Sequence, residues 1–264
     1  MASIPSVPKS DSHWYDAQGR PVHRQPLAKG DGDRPTTLRD ARKLGLFPSV
    51  TGILGVLGKP GLQDWKIKQA IKAAELNPRQ EAEADDRWFD RVQDAAFAQV
   101  EQAANLGTRI HAALEAATLG EPYADDLAPY IGPLVDWHQQ RKFTIVEREK
   151  CLVNHDHGFA GTADVLFRIG ASGIGIIDYK TRKTITGQKC EPYDGQGMQL
   201  AAYGASYFGE AEVCHLRSAN IYISTTEPGR FEVFEHKDPV TDWRMFKRCC
   251  ALWRYLHAYD PRTM

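Results

Sequence analysis

The stretch Gly161-Thr162-Ala163-Asp164-Val165-Leu166-Phe167-Arg168-Ile169-Gly170-Ala171-Ser172-Gly173-Ile174-Gly175-Ile176-Ile177-Asp178-Tyr179-Lys180 decides how this chain is read. Two apolar runs separated by Gly-Ala-Ser-Gly predict strands over Gly161 to Ile169 and Gly173 to Ile177, joined by a tight turn. The second run leads straight into an acid and a lysine two residues apart. Side chains alternate along a strand, so Asp178 and Lys180 share one face and Tyr179 points to the other. Asp164 stands inside the first apolar run, where an unpaired carboxylate is costly to bury. Adjacent antiparallel strands can bring two such acids within ligand distance. Carboxylate oxygens suit Mg²⁺ or Mn²⁺, and the backbone carbonyl of Tyr179 can complete the shell. Two acids and an amine at a strand end therefore predict metal-assisted attack on a phosphate, with Lys180 offsetting charge in the transition state.

Working outward, Phe143 to Glu147 and Lys150 to Val153 read as two further strands, with Asn154-His155-Asp156-His157-Gly158 as a turn. Gln196 to Phe208 predicts a helix in which Gln199 and Tyr203, four apart, share a face and can reach the phosphate or order Lys180. Ser218 to Thr225 and Arg230 to Glu235 predict a hairpin, and Trp243 to Tyr259 a last helix. On the N-terminal side, residues 1–45 are rich in Pro, Gly, Asp and Arg and read as an arm with a small hairpin at Trp14 to Val22. Ser49 or Thr51 caps a short helix, and Leu62 to Leu76 forms another, with Leu62, Trp65, Ile67 and Ile71 partly buried. Asn77-Pro78 stops it. From Arg79 to Leu119 the apolar positions Trp88, Val92, Ala95, Ala96, Val100, Ala103 and Ala104 recur at helical steps, with a break or cap at Gly107-Thr108. A further helix covers about Pro129 to Arg141. The expected organisation is an arm (1–45), a helical region (46–142) and a strand-rich core (143–264). The fold class is α/β, a mixed central sheet flanked by helices, with a largely helical N-terminal half.

His111 lies on the predicted helix four residues before Glu115. An imidazole ligand there tilts metal preference towards Mn²⁺, with Glu115 as its supporting acid. Glu147 and Glu149, ahead of the Asp164 strand, are candidates for one more carboxylate. The net charge of −1 supplies no broad attraction to nucleic acid, so positive charge must be confined to one groove. Lys180, Arg182, Lys183, Lys189 and Arg109 are the residues expected to line it. Trp88, Trp137 and the Trp14-Tyr15 pair are candidates for stacking on bases. Five cysteines, Cys151, Cys190, Cys214, Cys249 and Cys250, lack the spacing of a zinc or iron–sulfur site and read as reduced thiols. No apolar run approaches the ~20 residues of a membrane span. Met1 to Ser12 has no apolar h-region, so a cytoplasmic location is expected, with a mitochondrial one left open.

Gly161-x-x-Asp164, Asp178-x-Lys180 and Gln199-x-x-x-Tyr203, preceded by a helical His111, together resemble the PD-(D/E)xK nuclease superfamily, specifically its RecB-like branch. Asp178 stands where many members have Glu, and Glu149 lies where some place an additional acid. The resemblance covers about Gly107 to Tyr207. Pro48-Ser49-Val50-Thr51 with Trp65 is also similar to the N-terminal part of phage and mitochondrial single-strand exonucleases of this group. The resemblance implies a restriction-endonuclease-like core. It also implies a metal site of His111, Glu149, Asp164, Asp178 and the Tyr179 carbonyl, and catalytic roles for Asp164, Asp178, Lys180, Gln199 and Tyr203. The substrate implied is DNA, expected to be single-stranded with a free end, and no Walker lysine motif is present, so any helicase is a separate partner. An endonuclease on the same core, or a binding module that no longer cleaves, are the alternatives these motifs leave open.

Overall fold

The computed structural model describes residues 13–141 and 143–263, without the side chains of residues 60 and 99–104. The expectations for residues 1–12 and for the side chains of Val100, Ala103 and Ala104 lie outside the described residues.

The N-terminal segment contains β1 (Trp14–Tyr15), β2 (Arg24–Pro26), β3 (Asp33–Pro35), α1 (Leu38–Leu44), β4 (Phe47–Pro48) and α2 (Val50–Leu54). The expected turn is present, with Asp16 accepting the Gln18 and Arg20 amides at 2.9 Å each. Yet β1 pairs antiparallel with β4, and Trp14 and Tyr15 are buried, so this is no loose arm and neither ring is free to stack on a base. The reason is apolar cover from the far end of the chain: Trp14 meets Trp253 and Tyr259 edge to face. A helix absent from the expectation, α1, is fixed by a reciprocal cap between Thr37 and Asp40. Ser49, not Thr51, caps α2, accepting the Gly52 amide at 3.0 Å.

Next come α3 (Pro60–Leu76), α4 (Asp85–Leu119) and α5 (Ala128–Gln140). The expected burial along α3 is corrected. Leu62, Trp65, Ile67 and Ile71 are all exposed, because α3 packs mainly against α4, and among its described side chains only Ala73 is buried. The expected break at Gly107-Thr108 is corrected as well, since α4 runs through it without interruption.

The remaining elements are β5 (Thr144–Asn154), β6 (Phe159–Ile169), β7 (Gly173–Arg182), α6 (Gln196–Phe208), β8 (Leu216–Ser224), β9 (Phe231–His236) and α7 (Pro239–His257). β5 is a single strand where two were expected, the interruption being a register shift between Ile145 and Glu147. The five strands form one mixed sheet in the order β5-β6-β7-β8-β9, parallel only between β7 and β8, which α6 connects. One face packs Leu166, Ile174, Ile176 and Leu216 against α6, α7 and α2. The other packs Val165, Phe167, Ile177, Tyr179 and Ile221 against α4 and α5. The expected α/β sandwich with a helical N-terminal half is what the chain forms. Among the described residues no helix is long and apolar enough to cross a membrane.

The β6–β7 ladder ends at Val165↔Ile177, while β7 continues beside β8 to Arg182 and β6 continues beside β5. The sheet forks there, and Asp164 and Asp178 are the first residues past the fork.

Candidate active site

A strand that loses its neighbour leaves backbone donors unpaired. Asp164 replaces the lost partner, its Oδ2 accepting the Tyr179 amide at 2.7 Å. Across from it on β5, Glu149 stands between the paired residues Arg148↔Val165 and Lys150↔Ala163 but is itself out of the ladder. Its φ of 41° is in the left-handed region, a cost of order 1–3 kcal/mol for a residue with a side chain. Both carboxylates line a pocket of about 520 Å³ with His111, Glu115 and Thr181. Glu147 is turned away onto Lys150 at 3.0 Å, so Glu149 is the extra acid that reaches the pocket.

Gly107 shows why α4 carries a glycine in mid-helix. A Cβ there would stand 2.5 Å from the Thr181 hydroxyl, so only glycine lets α4 approach β7 closely enough to deliver His111. His111 Nδ1 lies 4.0 Å from Asp164 Oδ2. Burial first, then the Lys180 charge, hold the imidazole pKa below its ordinary value, while hydrogen bonding with the Tyr179 backbone opposes them. The ring is therefore neutral at neutral pH, the form that can ligate a metal.

Asp178 is 2% exposed and stands behind the pocket wall. Its Oδ1 accepts from the Lys180 ammonium at 2.6 Å and from Gln199 Nε2 at 3.2 Å. Its Oδ2 accepts from Asn220 Nδ2 at 2.7 Å. Alternation along β7 holds as expected, since Tyr179 points to the opposite face and its hydroxyl meets His138 Nε2 at 2.7 Å. Burial disfavours the Lys180 ammonium, but Asp178 and Asp164 outweigh it and raise the pKa above the ordinary lysine value. Asp164 is raised well above the carboxylate range by burial and by Asp178, and Glu149 is raised by burial and by Glu115.

Gln199 and Tyr203 are placed differently from expectation. Both are buried behind Asp178, Gln199 bonded to that carboxylate and Tyr203 bonded to Gln199, so they order the acid and do not reach a phosphate in the pocket. The Tyr203 ring presses on Gly161, where a Cβ would stand 2.5 Å from Cε1. Two sequence motifs thus form one packing contact. Gly161→Ala is expected to lower stability by ~1–3 kcal/mol through overpacking, measured by chemical denaturation, and an unchanged midpoint would refute the contact.

The expected basic groove is only partly assembled. Arg109 is paired with Asp126 at 2.6 Å. The Arg182 guanidinium lies over Tyr193 and Tyr222 and donates to the Glu191 carbonyl at 2.7 Å. Lys183 and Lys189 remain exposed. Trp88 and Trp137 are partly buried, Trp88 donating to the Asn77 carbonyl and Trp137 sitting under Arg141. A larger cavity of about 980 Å³ is lined by Trp137, Phe143, Arg217 and Lys237, and none of the expected metal or catalytic residues lines it.

The site's donor set is oxygen-rich: Glu115, Glu149, Asp164 and Asp178 with one imidazole and one ammonium. Asp164 and Asp178 are turned to protein donors, and no three of the His, Asp and Glu side chains converge on one point among the described residues. Burial first, and neighbouring acids second, raise the pKa values of Asp164 and Glu149, and Lys180 offsets these only in part. Hard oxygen donors are of the type Mg²⁺ or Mn²⁺ takes, and Glu149, Asp164 and His111 are the ones that share the pocket.

A pH dependence follows for the metal-free protein. Asp164 binds its proton more tightly folded than unfolded, so its contribution is full at acid pH and is lost as pH rises from the ordinary carboxylate range through its raised value. Asp164→Asn keeps an acceptor for the Tyr179 amide and removes that loss. The variant is expected to melt higher than the unaltered chain at alkaline pH and no higher at acid pH, in thermal scans with chelator. A parallel pair of pH–stability curves would refute this.

No protein-family model matches this chain, and no curated protein matches it. A solved structure described as the crystal structure of SSO0001 is 17% identical, covering 76% of this chain and 88% of its own, with a TM-score of 0.33. A likeness that slight carries no argument about this chain.

Sequence reasoning missed Asn220. Its signal was available: one amide in the otherwise apolar Ala219-Asn220-Ile221-Tyr222-Ile223, opposite Asp178 in the parallel register.

Proposed function

We propose that this chain is a divalent-metal-dependent nuclease that hydrolyses phosphodiester bonds in DNA, working as an exonuclease on a free-ended single strand. The observation that carries this reading is the fork in the sheet, where Asp164, Glu149 and His111 line one pocket and Asp178, the first residue of β7 past the fork, holds the Lys180 ammonium. A bound Mg²⁺ or Mn²⁺ would supply Lewis acidity towards the phosphoryl oxygens.

The protein's own groups have distinct tasks. Lys180 stays cationic because Asp178 and Asp164 hold its proton, and a fixed charge opposite a phosphate is worth most as the phosphate gains charge in the transition state. Gln199 and Asn220 hold Asp178 in one orientation from two sides, so nothing need be reorganised during the reaction. Glu149 lines the pocket, and its pKa, raised by burial and by Glu115, makes it a stronger base than an ordinary carboxylate, which suits it to accept a proton from an attacking water. Exposed Lys183 and Lys189, just beyond β7, are suited to the strand backbone.

The test uses labelled single strands, linear with free ends, linear with both ends blocked, and covalently closed circles, each in Mg²⁺ and in Mn²⁺. Products from free ends alone are expected. Nicked circles would replace the exonuclease by an endonuclease, and binding without products in either metal would leave a binding module.

A further inference from the structure

Asp178 is held by donors from three elements: Lys180 on its own strand, Gln199 on α6 and Asn220 on β8. The last is the least adaptable, because Asn220 is wholly buried. An asparagine amide has two nearly equal shapes, and rotating it by half a turn would present Oδ1, an acceptor, to the Asp178 carboxylate. Two acceptors face to face in a buried place repel each other and leave both unsatisfied. Something must therefore fix which end of Asn220 faces Asp178.

His236 on the edge strand β9 does this. Its Nε2 lies 2.7 Å from Asn220 Oδ1. Oδ1 has no proton, so a hydrogen bond at that distance requires the proton on Nε2. With Nε2–H donating to Oδ1, the Asn220 amide can only direct its NH₂ at Asp178 Oδ2. We infer that His236 and Asn220 are positioning residues of the proposed nuclease site, a two-step clamp from the sheet edge that sets the donor face of Asn220 and through it the orientation of Asp178. This inference rests on the nuclease reading. Neither residue touches the pocket that holds Glu149 and Asp164, and neither belongs to the sequence motifs around Asp164, Asp178 and Tyr203. Their role is to keep the carboxylate's lone pairs pointing where a cation and Lys180 can both use them.

Supporting shells of this kind typically change metal affinity or activity by roughly 10–100-fold. Three variants separate the clamp from simple packing. His236→Gln places an amide N–H close to where Nε2–H was and is expected to behave like the unaltered chain. His236→Leu fills much of the space without a donor, and Asn220→Asp keeps the volume but sets an acceptor against Asp178. Both are expected to weaken Mn²⁺ binding by calorimetry about 10–100-fold and to lower kcat without raising KM for a single strand. If the leucine variant fails to fold, Asn220→Asp carries the same test. Independently of activity, ¹⁵N NMR of the full chain should show His236 as the Nε2–H tautomer at neutral pH without metal.

An Nδ1–H tautomer would overturn the clamp, as would native Mn²⁺ affinity in both His236→Leu and Asn220→Asp. A glutamine variant as impaired as the leucine one would show that the ring acts by packing. An unaltered chain that neither binds Mn²⁺ nor cuts DNA would instead overturn the nuclease reading, and the tautomer would still decide the orientation of Asn220.

Discussion

Asp178→Asn is expected to abolish cleavage while the protein stays folded. The carboxylate accepts three hydrogen bonds from Lys180, Gln199 and Asn220, all from donors. An asparagine must turn its NH₂ towards one of those sides, setting donor against donor at a cost of ~1–3 kcal/mol. That is a marked loss of stability but below the total of an ordinary domain, so circular dichroism should still report native helix and strand. Function has no such reserve. The variant loses a ligand charge and leaves the Lys180 ammonium without its nearest anion, 2.6 Å away. Rates should fall below detection in Mg²⁺ and in Mn²⁺ on free-ended single strands. Full activity in a folded variant would remove Asp178 from the site.

Lys180→Ala is expected to bind a single strand with near-native affinity and to turn it over on the order of 10²–10³ times more slowly, the usual size of a lost transition-state charge. Its contact with Asp178 sets this lysine apart from the exposed Lys183 and Lys189, which the proposed function assigns to the strand backbone, a contribution that salt would weaken. A second signature accompanies the slow rate. Lys180 is the ammonium that holds down the proton affinity of Asp164 and Glu149, so its removal lets both acids keep their protons to higher pH. The acid limb of the pH–rate profile should therefore move to higher pH in the variant. Affinity that collapses in proportion to rate would make Lys180 an anchor for the strand backbone and not a participant in the reaction.

The parts of the fold that were legible in the sequence are those that depend on neighbours along the chain. A period of two placed Asp178 and Lys180 on one face and Tyr179 on the other, and the structure has Lys180 on Asp178 and Tyr179 on His138. A period near 3.6 marked α4, α5, α6 and α7, and turn residues marked the junction of β6 and β7, although β7 runs past the expected Ile177 to Arg182. Gln199 and Tyr203 were found as a pair on one helix face for the same reason, although their depth behind Asp178 was not. Depth, register and glycine packing belong to contacts between distant segments. Whether Gly107 ends a helix or admits a strand depends on Thr181, seventy-four residues further on, so local composition alone could not tell the two apart. Glu147 and Glu149 look alike in the sequence. A register shift and one left-handed residue send the second into the pocket and leave the first on Lys150. Trp14 reads as part of an arm until the aromatic surface of α7 closes over it. The chain by itself determined which side chains are candidates for the proposed chemistry, because residue type and short-range alternation are properties of the chain. Only the tertiary structure decided which of them meet. The fork in the sheet is made by three strands and the helices packed on both their faces, and a fork has no signature in any one of them.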